Sequence, residues 1–367
     1  MLSQYKDLVN FLLFSIFVSG VLSIPIISLL YRFKVVRKID VDFSTLIEDR
    51  KTKYGTPIMG GLIFIIPIVL LNYFFNLNQY TFIPINLLLI TGLLGAIDDL
   101  LNTFSKTRKV KSLTRSLTLI RVHKKPLVRI KNLILLPWTA FSSFMHMFES
   151  NPGAGLRAHE KLLVQTIIGV LLGLWVQTVI GSNLWLPFLG TFDIGYLIIP
   201  LTAFIYVAMA NAVNITDGMD GLSGGISLII ISALIPFLLL NSQETEQLIF
   251  IASAVGALLV YMYFNIPPAR VQMGDAGSFA LGGLLTIIFF MIGKPMLLLF
   301  YGIPFIIEVL STIIQSVSRR IFGRRIFQMA PLHHHLEMMG WREDKVVFRF
   351  WLLTIFCCLL GIWMSFY

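Results

Sequence analysis

Four oxygen-bearing side chains follow one another at three-residue intervals between two apolar stretches of the chain. Asn211, Asn214, Asp217 and Asp220 lie in the segment NAVNITDGMDGLSGG. Residues three apart are neighbours on one face of a helix, so a helical turn here would present these side chains in a line. Grouped carboxylates cost free energy unless a cation neutralises them. The spacing therefore predicts a binding site rather than a structural linker.

Two further sets of acidic residues lie at the ends of apolar stretches. Asp98 and Asp99 close a stretch that ends GAIDDLL, and Asp275 stands in VQMGDAGS just before another stretch. Carboxylates and amides without thiols favour a hard cation such as Mg²⁺, which prefers carboxylate, water and phosphate oxygens. Glycines such as Gly218 and Gly274 let backbone N–H groups approach a phosphate at a helix N-terminus. The acids therefore predict phosphate chemistry, with a helix-end role as the alternative for Asp98 and Asp99.

Two more polar segments supply cationic and histidine side chains. The consecutive residues His333, His334 and His335 cannot all face one way on a regular element, so we expect at least one to face the site while others pack. Adjacent histidines without cysteines fit poorly with a tetrahedral zinc site, which favours contact with phosphate. In RKTKYGTPIMGG, Lys53 is best placed to meet an anion, and Thr56 offers a hydroxyl. The alternative for the three histidines is a purely structural role. The alternative for Lys53 is that its charge only sets the membrane topology.

The elements that must position these residues are apolar blocks of membrane-spanning length. The chain is 56% hydrophobic and only 13% charged, whereas soluble domains carry about a quarter charged residues. About 20 apolar residues cross the hydrocarbon core of a bilayer as a helix. Ten blocks approach this length, at residues 10–31, 57–75, 81–101, 162–181, 194–213, 222–240, 247–265, 277–293, 295–318 and 347–366. The sequence predicts an all-α, polytopic integral membrane bundle of about ten transmembrane helices.

The basic residues predict how this bundle is oriented. The connection 32–56 carries seven Lys and Arg, 102–161 carries twelve and 319–346 carries six, while the alternate connections carry almost none. Positive loops stay in the cytoplasm, so we expect both termini to be extracytoplasmic. All the acids described above then share the cytoplasmic face. That basic face would attract anionic lipid or an anionic substrate.

One connection is unusually long. We treat the chain as a single membrane-embedded domain, 1–367, with a basic and amphipathic insertion at 104–154. The first half of the insertion mixes Lys and Arg with apolar residues, and the second half, NLILLPWTAFSSFMHMF, is apolar and aromatic. Such a segment suits a helix lying in the membrane interface. An eleventh span is the alternative, but it would reverse the charge pattern downstream.

With these residues assembled, the chain resembles the phospho-N-acetylmuramoyl-pentapeptide-transferases of the polyprenyl-phosphate N-acetylhexosamine-1-phosphate transferase superfamily. The matching stretches occur in family order across most of the chain. They are KYGTPIMGG, IDD, GLRAHEKLLVQ, NAVNITDGMDGL, NIPPARVQMGDAGS, EVLSTIIQ and MAPLHHHLEMMGW. The three-histidine loop separates this branch from sibling transferases that use simple UDP-N-acetylhexosamines.

The resemblance implies an enzyme of the bacterial inner membrane with its active site on the cytoplasmic face. It implies transfer of phospho-MurNAc-pentapeptide from UDP-MurNAc-pentapeptide to undecaprenyl phosphate, which releases UMP and forms lipid I. It also implies Mg²⁺ as cofactor, membrane lipids and a second copy of the chain as partners, and no nucleic acid. A sibling transferase for a GlcNAc-1-phosphate donor and a cation-coupled transporter are the alternatives.

The resemblance also implies roles for the candidate residues. Asp275 and Asp99 would hold Mg²⁺, and Asp98 would deprotonate or position the acceptor phosphate, with Lys161 as the fourth catalytic residue. Substrate-binding positions are Lys53, Thr56, Asn211, Asn214, Asp217, Asp220, Asn265, Gln315, His333, His334 and His335. The chain departs from the family pattern at Asn102, where a lysine is usual, and at Gln272, where an aromatic residue is common.

Overall fold

The computed structural model describes residues 2–37, 54–104, 113–146, 155–240 and 245–366, and it is mostly helical. The first six helices are α1 (Leu2–Arg32), α2 (Leu62–Phe75), α3 (Phe82–Phe104), α4 (Leu113–Val122), α5 (Pro126–Ile134) and α6 (Leu136–His146). The next five are α7 (Ala158–Trp175), α8 (Ile198–Thr216), α9 (Leu222–Leu240), α10 (Thr245–Asn265) and α11 (Gly274–Met291). The last four are α12 (Leu298–Tyr301), α13 (Ile303–Ile321), α14 (Leu332–Met338) and α15 (Glu343–Met364). Strands β1 (Asn183–Leu186) and β2 (Gly190–Asp193) form an antiparallel hairpin between α7 and α8.

The predicted all-α membrane fold is confirmed. Among the described residues, eight helices are long and apolar enough to cross a bilayer, or nine when the pair that meets at Gly302 with a 74° bend counts as one span. Each of the ten apolar blocks is helical, but the block at 57–75 yields the shorter helix α2, of 14 residues. The placement of both termini outside stays a prediction.

Helix α2 is short because its first predicted residues form a turn against the start of α11. Met59 has a φ of 68°, which is outside the helical region. Gly60 N donates to the carbonyl oxygen of Gln272 at 2.8 Å, and Gly61 N donates to that of Met273 at 3.1 Å. A Cβ on Gly61 would lie 2.1 Å from the Cα of Gly277, so only glycine allows this approach. The turn therefore fixes the N-terminus of α11 in space.

Helix α11 is the centre of the bundle. Every residue from Ala276 to Met291 is buried, as expected for a helix that is apolar on all faces. Glycines let its neighbours approach closely. A Cβ on Gly95 of α3 would lie 2.1 Å from the carbonyl oxygen of Asp275, and one on Gly282 would lie 2.5 Å from that of Met209. The ends of α3, α8 and α11 are thereby held together.

The insertion contains three short helices, α4 to α6, rather than one continuous helix. The Trp138 and Phe141 rings of α6 lie 5.0 and 6.3 Å from the ring of His159 at the start of α7. The insertion thus packs at the end of the bundle where the basic connections lie, which we call the basic end. Its position in the membrane interface stays a prediction.

Candidate active site

The site is built around the N-terminus of α11. Asp99 Oδ1 accepts a hydrogen bond from Asp275 N at 3.0 Å, and Asp99 Oδ2 accepts one from Ala276 N at 3.0 Å. Asp99 is 5% exposed. A carboxylate at a helix N-terminus satisfies free N–H groups and interacts favourably with the helix dipole. Asp99 therefore caps α11 and sets the position of the neighbouring Asp275 side chain.

A lysine joins two of the predicted acids. Lys161 Nζ contacts Asp98 Oδ2 and lies 3.1 Å from Asp275 Oδ2. The Asp98 side chain is fully buried, and those of Lys161 and Asp275 are 21% and 23% exposed. Asp98 also accepts a hydrogen bond from Leu156 N. A buried carboxyl group needs such polar partners, so the geometry indicates that Asp98 holds Lys161 in place.

The line of residues predicted on α8 contacts two neighbouring helices. Asn214 Nδ2 donates to Asp275 Oδ1 and to Ser278 Oγ, both at 2.8 Å. Asn211, one turn deeper, donates to Gln165 Oε1 at 2.8 Å. The three-residue spacing therefore places Asn214 on the acidic site, while Asn211 joins α8 to α7 below it.

A cavity of about 250 Å³ opens beside Asp275. Its lining includes the side chains of Arg37, Asn214, Asp217, Asp220, Asn265, Gln272 and Asp275, together with the backbone of Gly218 and Gly274. Arg37 is the one cation among the described residues that line this cavity. Its Nη1 donates to Gln272 Oε1 at 3.2 Å. Carboxylates from the end of α8 and from the start of α11 thus line the same cavity as the Arg37 guanidinium.

The two aspartates that follow α8 have different surroundings. Asp217 Oδ1 accepts a hydrogen bond from Ser223 Oγ at 2.6 Å. Burial, helped by the nearby charges of Asp275 and Asp220, raises the pKa of Asp217 to about 7 against the opposing effects of that hydrogen bond and of Arg37. Asp220 instead accepts a hydrogen bond from Ala269 N at 3.0 Å. Asp217 is therefore a carboxyl group that can change charge near neutral pH.

The histidine segment packs against Gly218, one of the residues that line the cavity. His333 donates from its backbone N to Glu308 Oε1 at 3.1 Å, and its Nδ1 lies 2.9 Å from Glu308 Oε2, with both side chains fully buried. A Cβ on Gly218 would lie 2.2 Å from His333 Nε2, so the ring is in contact with the cavity wall. His334 Nε2 lies 3.2 Å from His333 Nε2. Glu308 thus holds His333 against Gly218, and the contact of a histidine with substrate stays a prediction.

The remaining predicted residues lie around this centre. Gln315 Oε1 accepts hydrogen bonds from Ile326 N and Phe327 N, so its side chain holds the loop after α13. His335 Nδ1 accepts a hydrogen bond from Gln328 N. Asn265 lines the cavity and caps the turn at Gly221. The Thr56 carbonyl accepts from Arg37 N at 3.0 Å, and Lys53 lies outside the described residues.

Comparison with known proteins identifies the family. Residues 153–293 match the glycosyl transferase family 4. The chain is 35% identical to a phospho-N-acetylmuramoyl-pentapeptide-transferase of Caldanaerobacter subterraneus subsp. tengcongensis over 86% of this chain and 84% of that protein. It is 36% identical to the same-named protein of Brachyspira hyodysenteriae, over 86% and 82% of the two chains, and 32% identical to that of Clostridium novyi, over 96% of each. The chain belongs to the phospho-N-acetylmuramoyl-pentapeptide-transferase family.

A magnesium ion is expected for this transferase family, and one of its two predicted ligands, Asp275, is suitably placed to bind it. Among the described residues, no group of three or more His, Cys, Asp or Glu side chains is arranged to hold a metal. Mg²⁺ is, however, usually bound by one or two carboxylates plus phosphate and water oxygens. Asp275 lines the cavity and is partly exposed, so it suits this mode. Asp99 uses both oxygens to cap α11, and its role as a metal ligand stays a prediction.

Three residues of this transferase site escaped the sequence analysis. Arg37 counted only as one basic residue of a loop, and Ser278 and Ser223 were not among the candidate residues. Arg37 reaches the cavity because Val36 pairs with Pro57 across an antiparallel bridge. Nothing in the sequence predicts that the chain around Arg37 pairs with Pro57, which lies twenty residues further on. Ser278 had a detectable signal, since it lies one helical turn after Asp275.

Proposed function

We propose that this chain transfers phospho-MurNAc-pentapeptide from UDP-MurNAc-pentapeptide to undecaprenyl phosphate, giving lipid I and UMP. The observation that carries the proposal is the convergence of Asp98, Lys161, Asn214 and Asp275 from four helices, of which Asn214 and Asp275 line the cavity. Membership of the phospho-N-acetylmuramoyl-pentapeptide-transferase family supports the transfer of this group. The reaction class follows from the chemistry of the cavity, because acids and a guanidinium suit a metal-bound diphosphate.

The donor diphosphate would occupy the cavity beside Asp275. Arg37 would meet one of its phosphate groups, since a guanidinium forms strong paired hydrogen bonds with phosphate oxygens. Asn265 and Gln272 present amides that can bind the remaining polar groups of the nucleotide. His334 and its neighbours, of which His333 is held by Glu308, would contact the diphosphate and sugar part of the donor.

The acceptor phosphate would attack the β-phosphorus of the donor. A new bond forms between an acceptor oxygen and that phosphorus, the bond to the bridging oxygen breaks, and the bridging oxygen leaves with UMP. Phosphoryl transfer depends mainly on positioning and charge neutralisation. Lys161 would hold negative charge next to the reacting phosphates, and Asp98 would position Lys161 rather than remove a proton. No enzyme-bound phosphate is needed in this scheme.

Magnesium would supply charge neutralisation for the diphosphate and make UMP a better leaving group. Asp275 is the residue best placed to hold it. The multi-pass helical bundle supports a membrane enzyme, and the basic loops support an inner-membrane orientation with the site facing the cytoplasm. Pairing of two copies in the membrane is part of the same proposal.

A direct assay tests this function. Purified protein in detergent with Mg²⁺ is incubated with undecaprenyl phosphate and either UDP-MurNAc-pentapeptide or UDP-N-acetylglucosamine, and UMP release is measured. We expect turnover with the first donor only. Turnover with only the second donor would assign the chain to a sibling transferase. A phosphorylated enzyme trapped without lipid acceptor would contradict the direct attack.

A matched pair of variants links the activity to the site. Asp275→Asn keeps the shape of the side chain but removes its charge, so we expect UMP release to fall by about 1000-fold or more while the protein stays folded. Asp193→Asn changes an acid at the opposite end of the bundle, in β2, and should leave the rate unchanged. Near-normal turnover of Asp275→Asn would remove this residue from the proposed metal site.

A further inference from the structure

The insertion at the basic end carries a one-sided charge. Residues 100–148 contain ten Lys and Arg and no Asp or Glu. Six of these cations, Arg115, Arg121, Lys124, Lys125, Arg129 and Lys131, fall in the described helices α4 and α5 and the turn between them, and all six are exposed. Such a surface attracts anions from the surrounding medium.

Helix α5 places an exposed apolar stripe among these cations. Leu127, Ile130 and Ile134 are spaced by three and four residues, so they share one helical face. Their side chains are 80%, 53% and 72% exposed. Arg129 and Lys131 flank the stripe on either side, because each successive residue turns about 100° around the helix. An exposed apolar face between two basic edges is typical of a helix lying on a membrane surface.

The position of α5 in the fold brings this face to the membrane border. The insertion leaves the bundle after α3 and re-enters it at α7, and both helices are long and apolar enough to span a bilayer. Because Trp138 of α6 also packs on His159 at the start of the span that begins with α7, the insertion lies next to the end of that span. Lipid therefore supplies both the apolar contact for the stripe and the negative charge for its flanks.

The same insertion is attached directly to the candidate active site. Trp138 packs edge-on against His159, with 5.0 Å between ring centroids, two residues before Lys161. Where the insertion ends, Gly155 N donates to Asn102 Oδ1 at 2.7 Å and Leu156 N donates to Asp98. A displacement of the insertion would consequently move the start of α7 and the Asp98–Lys161 pair.

We infer that α4 to α6 dock on anionic phospholipid of the bilayer and that this docking holds the start of α7 against Asp98. Anionic phospholipid is then an activating partner of the enzyme, distinct from its two substrates. The inference about activation rests on the proposed function, whereas the inference about docking does not. An acidic protein partner would match the cations but would leave the apolar stripe without a hydrocarbon contact.

Docking is measured with a spin label on the apolar stripe. The full chain with Ile130→Cys, in a background with Cys357→Ala and Cys358→Ala, is placed in nanodiscs of phosphatidylcholine with increasing phosphatidylglycerol. We expect the label to become more accessible to oxygen and less accessible to a water-soluble nickel reagent as phosphatidylglycerol increases. A label that stays water-accessible at every composition overturns docking.

Activation is measured as UMP release in the same nanodiscs. We expect phosphatidylglycerol to raise the rate at least about threefold, since each basic residue near an anionic surface strengthens binding severalfold. Lys124→Gln/Lys125→Gln/Lys131→Gln should lose most of this stimulation. The matched triple variant Arg319→Gln/Arg324→Gln/Arg325→Gln removes the same charge from exposed positions elsewhere at the basic end and should keep it. Equal loss in both variants would show a general charge effect and overturn the inference.

Two further variants separate docking from its effect on the site. Leu127→Ser/Ile130→Ser/Ile134→Ser should lose the stimulation without loss of thermal stability, because these side chains are exposed. Trp138→Ala should keep the lipid-dependent label signal but lose the stimulation. Full stimulation in Trp138→Ala would overturn the link to α7. Absence of UMP release in every lipid would contradict the proposed function and leave the docking result standing.

Discussion

Lys161 is the residue whose removal tests the site most directly. Its Nζ contacts Asp98 and lies 3.1 Å from Asp275 Oδ2, so it neutralises two carboxylates that belong to different helices. Lys161→Met retains most of the length of the side chain but removes its charge. The substitution leaves the fully buried Asp98 side chain beside the Asp275 carboxylate, with hydrogen bonds from the neutral groups Leu156 N and Asn102 Nδ2.

The expected cost follows from the burial of the pair. Two unit charges about 4 Å apart interact by about 4 kcal/mol at an effective dielectric constant of 20. Breaking a buried pair by removing one partner costs about 3–5 kcal/mol. Lys161 is 21% exposed, so water screens part of the interaction, and we expect a loss of about 3 kcal/mol. For a chain of this size the apparent Tm should fall by about 5 °C.

The assay compares thermal unfolding in detergent across three variants. Lys161→Met/Asp98→Asn should recover at least about half of the lost stability, because it removes the uncompensated buried charge. Lys345→Met, at an exposed lysine over the Trp341 ring, should change stability by less than about 1 kcal/mol. UMP release by Lys161→Met should fall by about 100-fold. An unchanged Tm for Lys161→Met, or a double variant less stable than the single one, would refute the charge-pairing argument.

Three further variants test other parts of the site. Gly95→Ala should lower the free energy of unfolding by about 2 kcal/mol, and with it the apparent Tm, because its Cβ would overlap the backbone at the start of α11. The control Gly20→Ala has open space around its Cβ and should be neutral or slightly stabilising. Burial raises the pKa of Asp217 to about 7, so the folded state loses stability as pH rises from about 4 to 7. In EDTA, Asp217→Asn should therefore gain more apparent Tm over the parent protein at pH 8 than at pH 5, and an equal gain at both values would contradict the raised pKa. Glu308→Gln presents an amide donor to His333, which already donates from its backbone and Nδ1. Because two donors then face each other, UMP release should fall by about tenfold or more. An unchanged rate would make this contact purely structural.

Much of the architecture was predictable because a bilayer restricts what a chain can do. Backbone groups in hydrocarbon must be satisfied within helices, so long apolar blocks predict helices without knowledge of their partners. Polar side chains then collect where the blocks end. That reasoning predicts one end of the bundle for four polar residues, and the structure has them there. Asn214, Asp217 and Asp275 line the cavity, and Asp98 joins Asp275 through Lys161.

The division of roles among these residues was less predictable. Asp98 and Asp99 are adjacent in sequence, yet one holds a lysine and the other caps α11. Gln315 was expected at the substrate, but in the described loop it binds backbone groups after α13. Consecutive helical residues point in directions about 100° apart, so the packing of each neighbouring helix decides which role a side chain takes.

The sequence by itself determined that this chain forms a helical membrane bundle with the candidate acids and the three-histidine segment gathered at one end. Composition and spacing suffice for this because they set where each segment meets water or lipid. Only the tertiary structure decided that Lys161 joins Asp98 to Asp275, that Glu308 holds His333 and that Arg37 reaches the cavity. Each of these contacts joins residues more than twenty positions apart, and their distance depends on how closely helices pack rather than on any local pattern.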